Sequence, residues 1–392
     1  MITVSEAKDL ISEHVISLKA IQIDLSEAVG HRLAKDVYAT QHIPGFRQSS
    51  MDGYAFKFDE HLQPLPILGE MAAGSTATVT LQSGTACRIF TGAPLPEGAD
   101  TVVMQEKTII KNGQLLIQDD RLDLASNVRQ SGAEIKKGAL AMRKGDLLSP
   151  AAVGFLAGIG LNAVEVFPMP RLCIIVTGKE LQQPGQVLKF GQVYESNSYA
   201  LKAALQMEGI KEISVYKADD DLEVLTAILQ QALEQSDVVL LSGGVSVGDY
   251  DFVIEASQRC GINQVFHKVK QKPGKPLFFG TLAEKLVFGL PGNPSSVLSC
   301  YYNYVLPAIK QLSQKESSNS ILNAKLKTPY RKPAGLTHYL KGWYEDGFAS
   351  PLGAQESFRL SSFAQANCLI CLEESGTDFP AGSPVTIIQL PL

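Results

Sequence analysis

The chain has 392 residues, enough for two to four domains of ordinary size. It is 45% hydrophobic and 19% charged, as soluble globular proteins are, and its formal net charge of -5 gives no support to nucleic-acid binding as a main task. No apolar run approaches membrane-spanning length, and the opening residues lack the basic-then-apolar order of a secretion signal, so a cytoplasmic protein is expected.

In chain order, residues 3–18 carry apolar Ala7, Leu10, Ile11, Val15 and Leu18 at helical spacing. Residues 19–45 are mixed and end in an extended or turn element at Ile43-Pro44-Gly45-Phe46. From 46 to 131 short β-like segments alternate with turn signals. Asn112-Gly113, between Thr108-Ile109-Ile110 and Leu115-Leu116-Ile117, predicts a hairpin. Ser149-Pro150 opens a helix that runs to about Ala157, with Ser as N-cap and Pro at the first position. Gly158-Ile159-Gly160-Leu161-Asn162-Ala163 matches the dinucleotide fingerprint, but it follows a helix and leads into a strand. It therefore reads as a helix end and turn.

From 171 the pattern alternates. Strands are expected at 171–176, 212–217, 237–241, 264–269 and 285–289, and helices at 196–208, 221–235, 251–259 and 295–312. That is a three-layer α/β module with a mostly parallel sheet. Residues 311–320 read as a linker, and the remainder as a small β-domain. The fold class is thus multidomain α+β: a central α/β domain, two small β-domains and a helical N-terminal part. Cys87, Cys173, Cys260 and Cys300 are isolated among apolar neighbours. Cys368 and Cys371 lie three apart on a predicted strand and face opposite sides, so buried core thiols are expected rather than a zinc site.

The chemistry concentrates after the strands. Ser242-Gly243-Gly244-Val245-Ser246-Val247-Gly248-Asp249-Tyr250-Asp251 links a buried strand to a helix. Small residues let backbone N–H groups approach an anion, and the following helix N-terminus favours negative charge. Asp249 and Asp251 beside such a cradle make sense with a divalent cation between the charges. Thr177-Gly178-Lys179-Glu180 and Gly289-Leu290-Pro291-Gly292-Asn293-Pro294 should meet this loop at the carboxyl edge of the sheet, where ligands of α/β folds bind. Lys272-Pro273-Gly274-Lys275-Pro276 adds two cations suited to phosphate or an oxyanion. Singly, each feature has a plainer reading: solvated lysines, a Glu180 at a helix start, or aspartates at 219–221 that cap a helix. Ser49-Ser50-Met51-Asp52-Gly53 equally suits a turn in which Asp52 bonds its own backbone.

Together, S-S-M-D-G-Y-A (49–55), R-I-F-T-G-A-P-L-P-E-G-A-D (88–100), T-G-K-E-L (177–181), S-G-G-V-S-V-G-D-Y-D (242–251), K-P-G-K-P (272–276) and G-L-P-G-N-P (289–294) resemble the molybdopterin molybdenumtransferase family, the MoeA and gephyrin E-domain group, over essentially the whole chain. The resemblance implies an elongated homodimer with its site shared between subunits. It implies four domains: 1–45 with 132–167, a small β-domain at 46–131, an α/β molybdopterin-binding domain at 168–316, and a C-terminal β-barrel-like domain at 317–392. It also implies the reaction. Molybdate is inserted at the dithiolene sulfurs of adenylated molybdopterin, with Mg²⁺ present, and AMP is released. The thiolates belong to the substrate, so no protein cysteine site is needed. Other molybdenum cofactor biosynthesis proteins are implied as partners.

Carried onto this sequence, the resemblance assigns catalysis to Asp52, Thr91, Glu180, Asp251, Lys272 and Lys275. It assigns the metal to Glu180, Asp220, Asp221 and Asp251. Substrate binding falls to Ser242, Gly243, Gly244, Ser246, Gly248, Asp249, Pro291, Gly292, Asn293, Pro294, Lys341 and Ser361. The chain departs from the family pattern at Lys179, where Asp or Asn is usual, at Glu134 for Asp, and at Lys341 for an Arg with bidentate geometry. Two other readings are a molybdopterin adenylyltransferase on the same α/β module and a non-catalytic scaffold like the gephyrin E-domain.

Overall fold

The computed structural model describes residues 1–392 except 77–78, 220, 246–251, 316–320 and 392. The chain divides into two compact units. One comprises 1–21, 30–32 and 166–392, the other 22–29 and 33–165.

The larger unit is built on a six-stranded sheet. In spatial order its strands are Ile213–Ala218, Leu172–Thr177, Val238–Ser242, Lys285–Leu290, Phe278–Leu282 and Asn263–His267. The first four pair in parallel, and the last two join antiparallel at one edge. Leu172–Thr177 is buried along its whole length because both faces are covered. Leu172, Ile174 and Val176 enter one core, and Cys173 and Ile175 enter the other, the two-residue period of a strand. Helices α3 (Asn197–Met207) and α6 (Pro294–Cys300) pack on the first face. Helices α4 (Leu222–Gln235) and α5 (Phe252–Arg259) pack on the second. Helix α1 (Val4–His14), which the resemblance groups with 132–167, adds Ala7 and Ile11 to the first core, with Val15 just beyond it.

The strand Phe278–Leu282 is absent from the sequence reading. Gly280 inside it serves close packing: a Cβ there would stand 2.7 Å from Ile262 Cγ2 and 3.0 Å from the Asn263 carbonyl. The helix expected at 295–312 is interrupted by a π-turn at Tyr301–Val305 before helix α7 (Leu306–Leu312). Pro307 has no N–H and its ring crowds the carbonyl four residues back, so the regular ladder cannot continue through it. Helix α1 likewise stops at His14 rather than 18, where Val15 turns extended and buries its side chain.

The C-terminal strands Ile321–Leu326, Thr337–Glu345, Phe348–Pro351, Cys368–Leu372 and Pro384–Gln389 pair in a closed ring around their own core. Closure removes the exposed edges that a small sheet would otherwise present. Cys368 faces this core while Cys371 packs on the α/β side, as the strand period requires. All six cysteines are free. Burial pushes the thiols of Cys173, Cys300 and Cys368 up to about 12, far from nucleophilic thiolates.

The smaller unit holds a second six-stranded sheet: Thr101–Met104, Gly53–Phe56, Ala86–Ile89, Leu65–Met71, Gln114–Ile117 and Thr108–Lys111. The predicted hairpin is present, with Gln114 opposite Lys111 and both Asn112 and Gly113 at positive φ. Ser149 caps helix α2 (Pro150–Gly158), and the dinucleotide-like glycines end it and turn into the strand Ala163–Phe167.

Phe279 is fully buried and touches Phe266, Phe288 and His14, so it joins the sheet to helix α1. Phe279→Ala should lower the unfolding free energy by about 3–5 kcal/mol. Urea denaturation followed by circular dichroism would show it. A loss below ~1 kcal/mol would mean that this cluster is not a fixed core.

Candidate active site

The parallel strands end in register: Thr177 lies opposite Ala218, Val176 opposite Ser242, and Ser242 opposite Leu290. The loops that follow therefore emerge side by side. Strand order reverses between Leu172–Thr177 and Val238–Ser242, the switch point at which chains diverge and leave a crevice. A cleft of about 1270 Å³ opens there. Its lining includes Glu180, Ser242, Gly243, Gly244, Lys272, Lys275, Pro291, Gly292, Asn293 and Pro294, all expected from the sequence.

Close packing shapes the glycine loop. A Cβ on Gly243 would stand 2.7 Å from Thr177 Oγ1 and 2.8 Å from the Thr177 carbonyl, and its φ is +95°. Only glycine brings this loop so near its neighbour. Asn197, at the start of α3, ties two loops together. Its Nδ2 donates to Ser242 Oγ at 2.9 Å and to the Gly292 carbonyl at 2.8 Å. Asn293 Nδ2 donates to Ser357 Oγ at 3.0 Å, and the Ser357 carbonyl accepts from the Ser295 N–H at 3.0 Å. The turn is thereby joined to loop 354–359 of the C-terminal ring.

The lysine loop is held from behind. Gln271 is buried. Its Nε2 donates to the Gly274 carbonyl at 2.8 Å, and its Oε1 accepts from the Tyr304 hydroxyl. Gly274 has φ +84° and would press a Cβ to 2.6 Å from Cys300 Sγ. Lys272 and Lys275 form no ion pair or side-chain hydrogen bond with the described residues, and both are exposed towards the cleft. Two cations unpaired among the described residues favour an anion in the cleft.

Other sequence candidates stand elsewhere. Lys341 is buried and its Nζ donates to the carbonyls of Ala354 (2.8 Å), Glu356 (3.3 Å) and Arg359 (3.1 Å), so it fixes the loop that lines the cleft rather than reaching into it. Burial holds its ammonium below the usual lysine range. Ser361 is exposed and outside the cleft lining. Its neighbour Ser362 bonds the Ala354 carbonyl instead. Asp221 caps α4, accepting from the N–H groups of Glu223 (2.9 Å) and Val224 (3.1 Å). Asp220, Ser246, Gly248, Asp249 and Asp251 lie outside the described residues. Among the described residues no group of three His, Cys, Asp or Glu side chains is placed to hold a metal ion.

Asp52 and Thr91 lie in the smaller unit and meet there. Asp52 Oδ1 accepts from the Thr91 N–H at 2.7 Å and from Thr91 Oγ1 at 2.8 Å. The turn is thus not one in which Asp52 satisfies itself. Gly53 makes it possible, because a Cβ there would stand 1.9 Å from the Val103 carbonyl. The backbone bond from Thr91, then its hydroxyl, hold the Asp52 carboxyl below its usual range. Its stabilising contribution is therefore present above the ordinary carboxylate pKa and is lost only as pH falls through the lowered value.

Sequence reasoning missed Asn197, Gln271, His338 and Ser357. Asn197 follows Ser196 at a helix start, which reads as a cap, and the others sit in strands or loops without turn or charge signals.

Asn197→Ala removes both inter-loop bonds and should cost about 1–3 kcal/mol in urea unfolding; an unchanged midpoint would show that the loops hold without it. Thr91→Val removes one donor and should raise the Asp52 pKa, as followed by carboxyl carbon NMR. An unchanged value would assign the whole shift to the backbone N–H.

The chain matches three family profiles: "MoeA N-terminal region (domain I and II)" over residues 2–160, "Probable molybdopterin binding domain" over 173–311, and "MoeA C-terminal region (domain IV)" over 323–390. It is 33% identical to the molybdopterin molybdenumtransferase of Staphylococcus epidermidis, over 99% of this chain and 95% of that protein. It is 32% identical to the Haemophilus influenzae enzyme of the same name, over 99% and 98%. A solved molybdopterin biosynthesis MoeA protein from Pyrococcus horikoshii superposes with a TM-score of 0.84 at 29% identity, over 99% of each chain. With its full length matched in sequence and its architecture in structure, the chain belongs to the MoeA family of molybdopterin molybdenumtransferases.

Proposed function

We propose that this chain inserts molybdenum into adenylated molybdopterin and releases AMP. The observation that carries the reading is the cleft at the strand ends, which Lys272 and Lys275 line together with Gly243 and Gly244 and where neither lysine pairs with a carboxylate among the described residues. Both reactants are anions, so bringing them together requires cations. The two ammonium groups offset the charge of the phosphoanhydride and of molybdate. As the P–O bond to the adenylate breaks, charge grows on the departing phosphate, and a fixed lysine stabilises that charge without reorganising. Glycine at 243 and 244 lets this loop pack against Thr177 at the cleft, with the Gly243 N–H donating to the Leu290 carbonyl. The molybdenum–sulfur bonds form on the substrate's own dithiolene.

Mg²⁺, when bound, supplies a Lewis acid that polarises the phosphoanhydride. Glu180 is the one proposed ligand that the described residues place at the cleft; Asp221 is engaged as a cap, and Asp220 and Asp251 lie outside them. The metal shell therefore rests on family likeness, as do the homodimer, the four-domain division, the cytoplasmic location, protein partners from the same biosynthesis, and the roles of Asp52 and Thr91. An adenylyltransferase on the α/β module alone would leave the matched N-terminal and C-terminal regions unexplained.

Purified protein should release AMP from adenylated molybdopterin only when molybdate and Mg²⁺ are both present. Lys275→Ala should slow release by about 10²-fold. Consumption of ATP with free molybdopterin would favour the adenylyltransferase, and binding without release under any condition would favour the scaffold.

A further inference from the structure

His338 is the least expected group on the cleft wall. It lies on the strand Thr337–Glu345, where it is the parallel-register partner of Lys272. Its residue surface is 6% exposed, yet it lines the cleft. The imidazole forms no hydrogen bond or ion pair with any described residue. Several other buried side chains of the cleft are bonded: Gln271 to Gly274 and Tyr304, Thr177 to the Ser242 carbonyl, and Glu195 to Ser198. Its nitrogens are not among the fully buried polar atoms left without a partner, so they open onto the cleft and are available to a ligand.

The surroundings say what kind of group would do so. Burial, followed by the charges of Lys332 and Lys272, pushes His338 down to about 4. The ring is therefore uncharged at neutral pH and, according to tautomer, offers a donor or an acceptor at the nitrogen facing the cleft. Beside it, Lys272 is the stronger partner for phosphate. Tyr330, Leu336 and Leu340 line the same cleft. An uncharged polar point in a cleft that also carries such apolar side chains suits the edge of a planar heterocycle whose faces rest on them.

We propose that His338 is a substrate-contacting residue that hydrogen-bonds the edge of a heteroaromatic ring, next to the phosphate held by Lys272. The inference rests on the proposed function and extends it. Two rings of the adenylated substrate carry donors beside acceptors: the pterin and the adenine.

The test measures calorimetric binding of AMP, of molybdopterin and of inorganic pyrophosphate to the wild type, His338→Leu and His338→Gln. His338→Leu should weaken one ring-bearing ligand about tenfold, and His338→Gln, which keeps an uncharged donor and acceptor, should recover most of that loss. Loss of AMP affinity assigns the adenine, and loss of molybdopterin affinity assigns the pterin. Pyrophosphate should bind all three proteins alike. Equal binding of both ring ligands by the wild type and His338→Leu overturns the inference alone. So does a loss that extends equally to pyrophosphate, which would mark a structural role. Failure of the wild type to bind either ring ligand overturns the functional reading and this inference together.

Discussion

The short parallel pairing of Gln271–Lys272 with Thr337–His338 is the constraint on which the site depends. It fastens the lysine loop to the C-terminal ring by backbone hydrogen bonds, reinforced where the Thr337 N–H donates to the Lys270 carbonyl at 3.0 Å. Gln271 is buried and bonded on both ends of its amide, so the turn has little freedom behind it. Lys272 and Lys275 are thus presented from a rigid base, and His338 is brought beside them by the same pairing. Lys341, on the same strand as His338, fixes the lining loop 354–359 through three carbonyls. One strand therefore positions two segments of the cleft lining.

Such an arrangement separates two roles of positive charge. Lys341 and Lys332 are largely buried and spend their ammonium groups on backbone carbonyls, which makes them part of the framework. Lys272 and Lys275 keep their charge in the cleft. Of the three described carboxylates that line the cleft, Glu195 is engaged at the start of α3 and Glu356 with Arg359, while Glu180 is the third. The potential left over favours an anionic ligand, although the chain as a whole carries a net charge of -5. Composition thus says little about the site, because the relevant charges are few and local.

Much of this was legible in the sequence where short-range physics governs. Asn112-Gly113 fixed its hairpin because both residues must take positive φ. The spacing of Cys368 and Cys371 on a strand forecast opposite environments, and the structure has them so. The three strand-end loops converge because parallel strands deliver their loops to one edge. What escaped notice depends on distant partners. The strand around Gly280 goes unassigned from the sequence, because the glycine's role shows only where Ile262 and Asn263 pack against it. Tyr301–Val305 reads as ordinary helix, although Pro307 forces a wider turn ahead of it. Asn197, Ser357 and His338 acquire meaning only from residues many positions away, and no local pattern marks them. The family resemblance also placed Lys341 in the substrate's reach, whereas its three carbonyl partners make it a brace for the wall.

The central claim is that the adenylated pterin occupies the cleft formed at the strand ends and closed by the C-terminal ring. Hydrogen–deuterium exchange with mass spectrometry, with and without AMP, tests it most directly. The account predicts that AMP slows exchange in peptides covering 242–245, 271–276 and 291–294 and leaves the hairpin at 108–117 unchanged. Slowing confined to regions outside those three loops would contradict it.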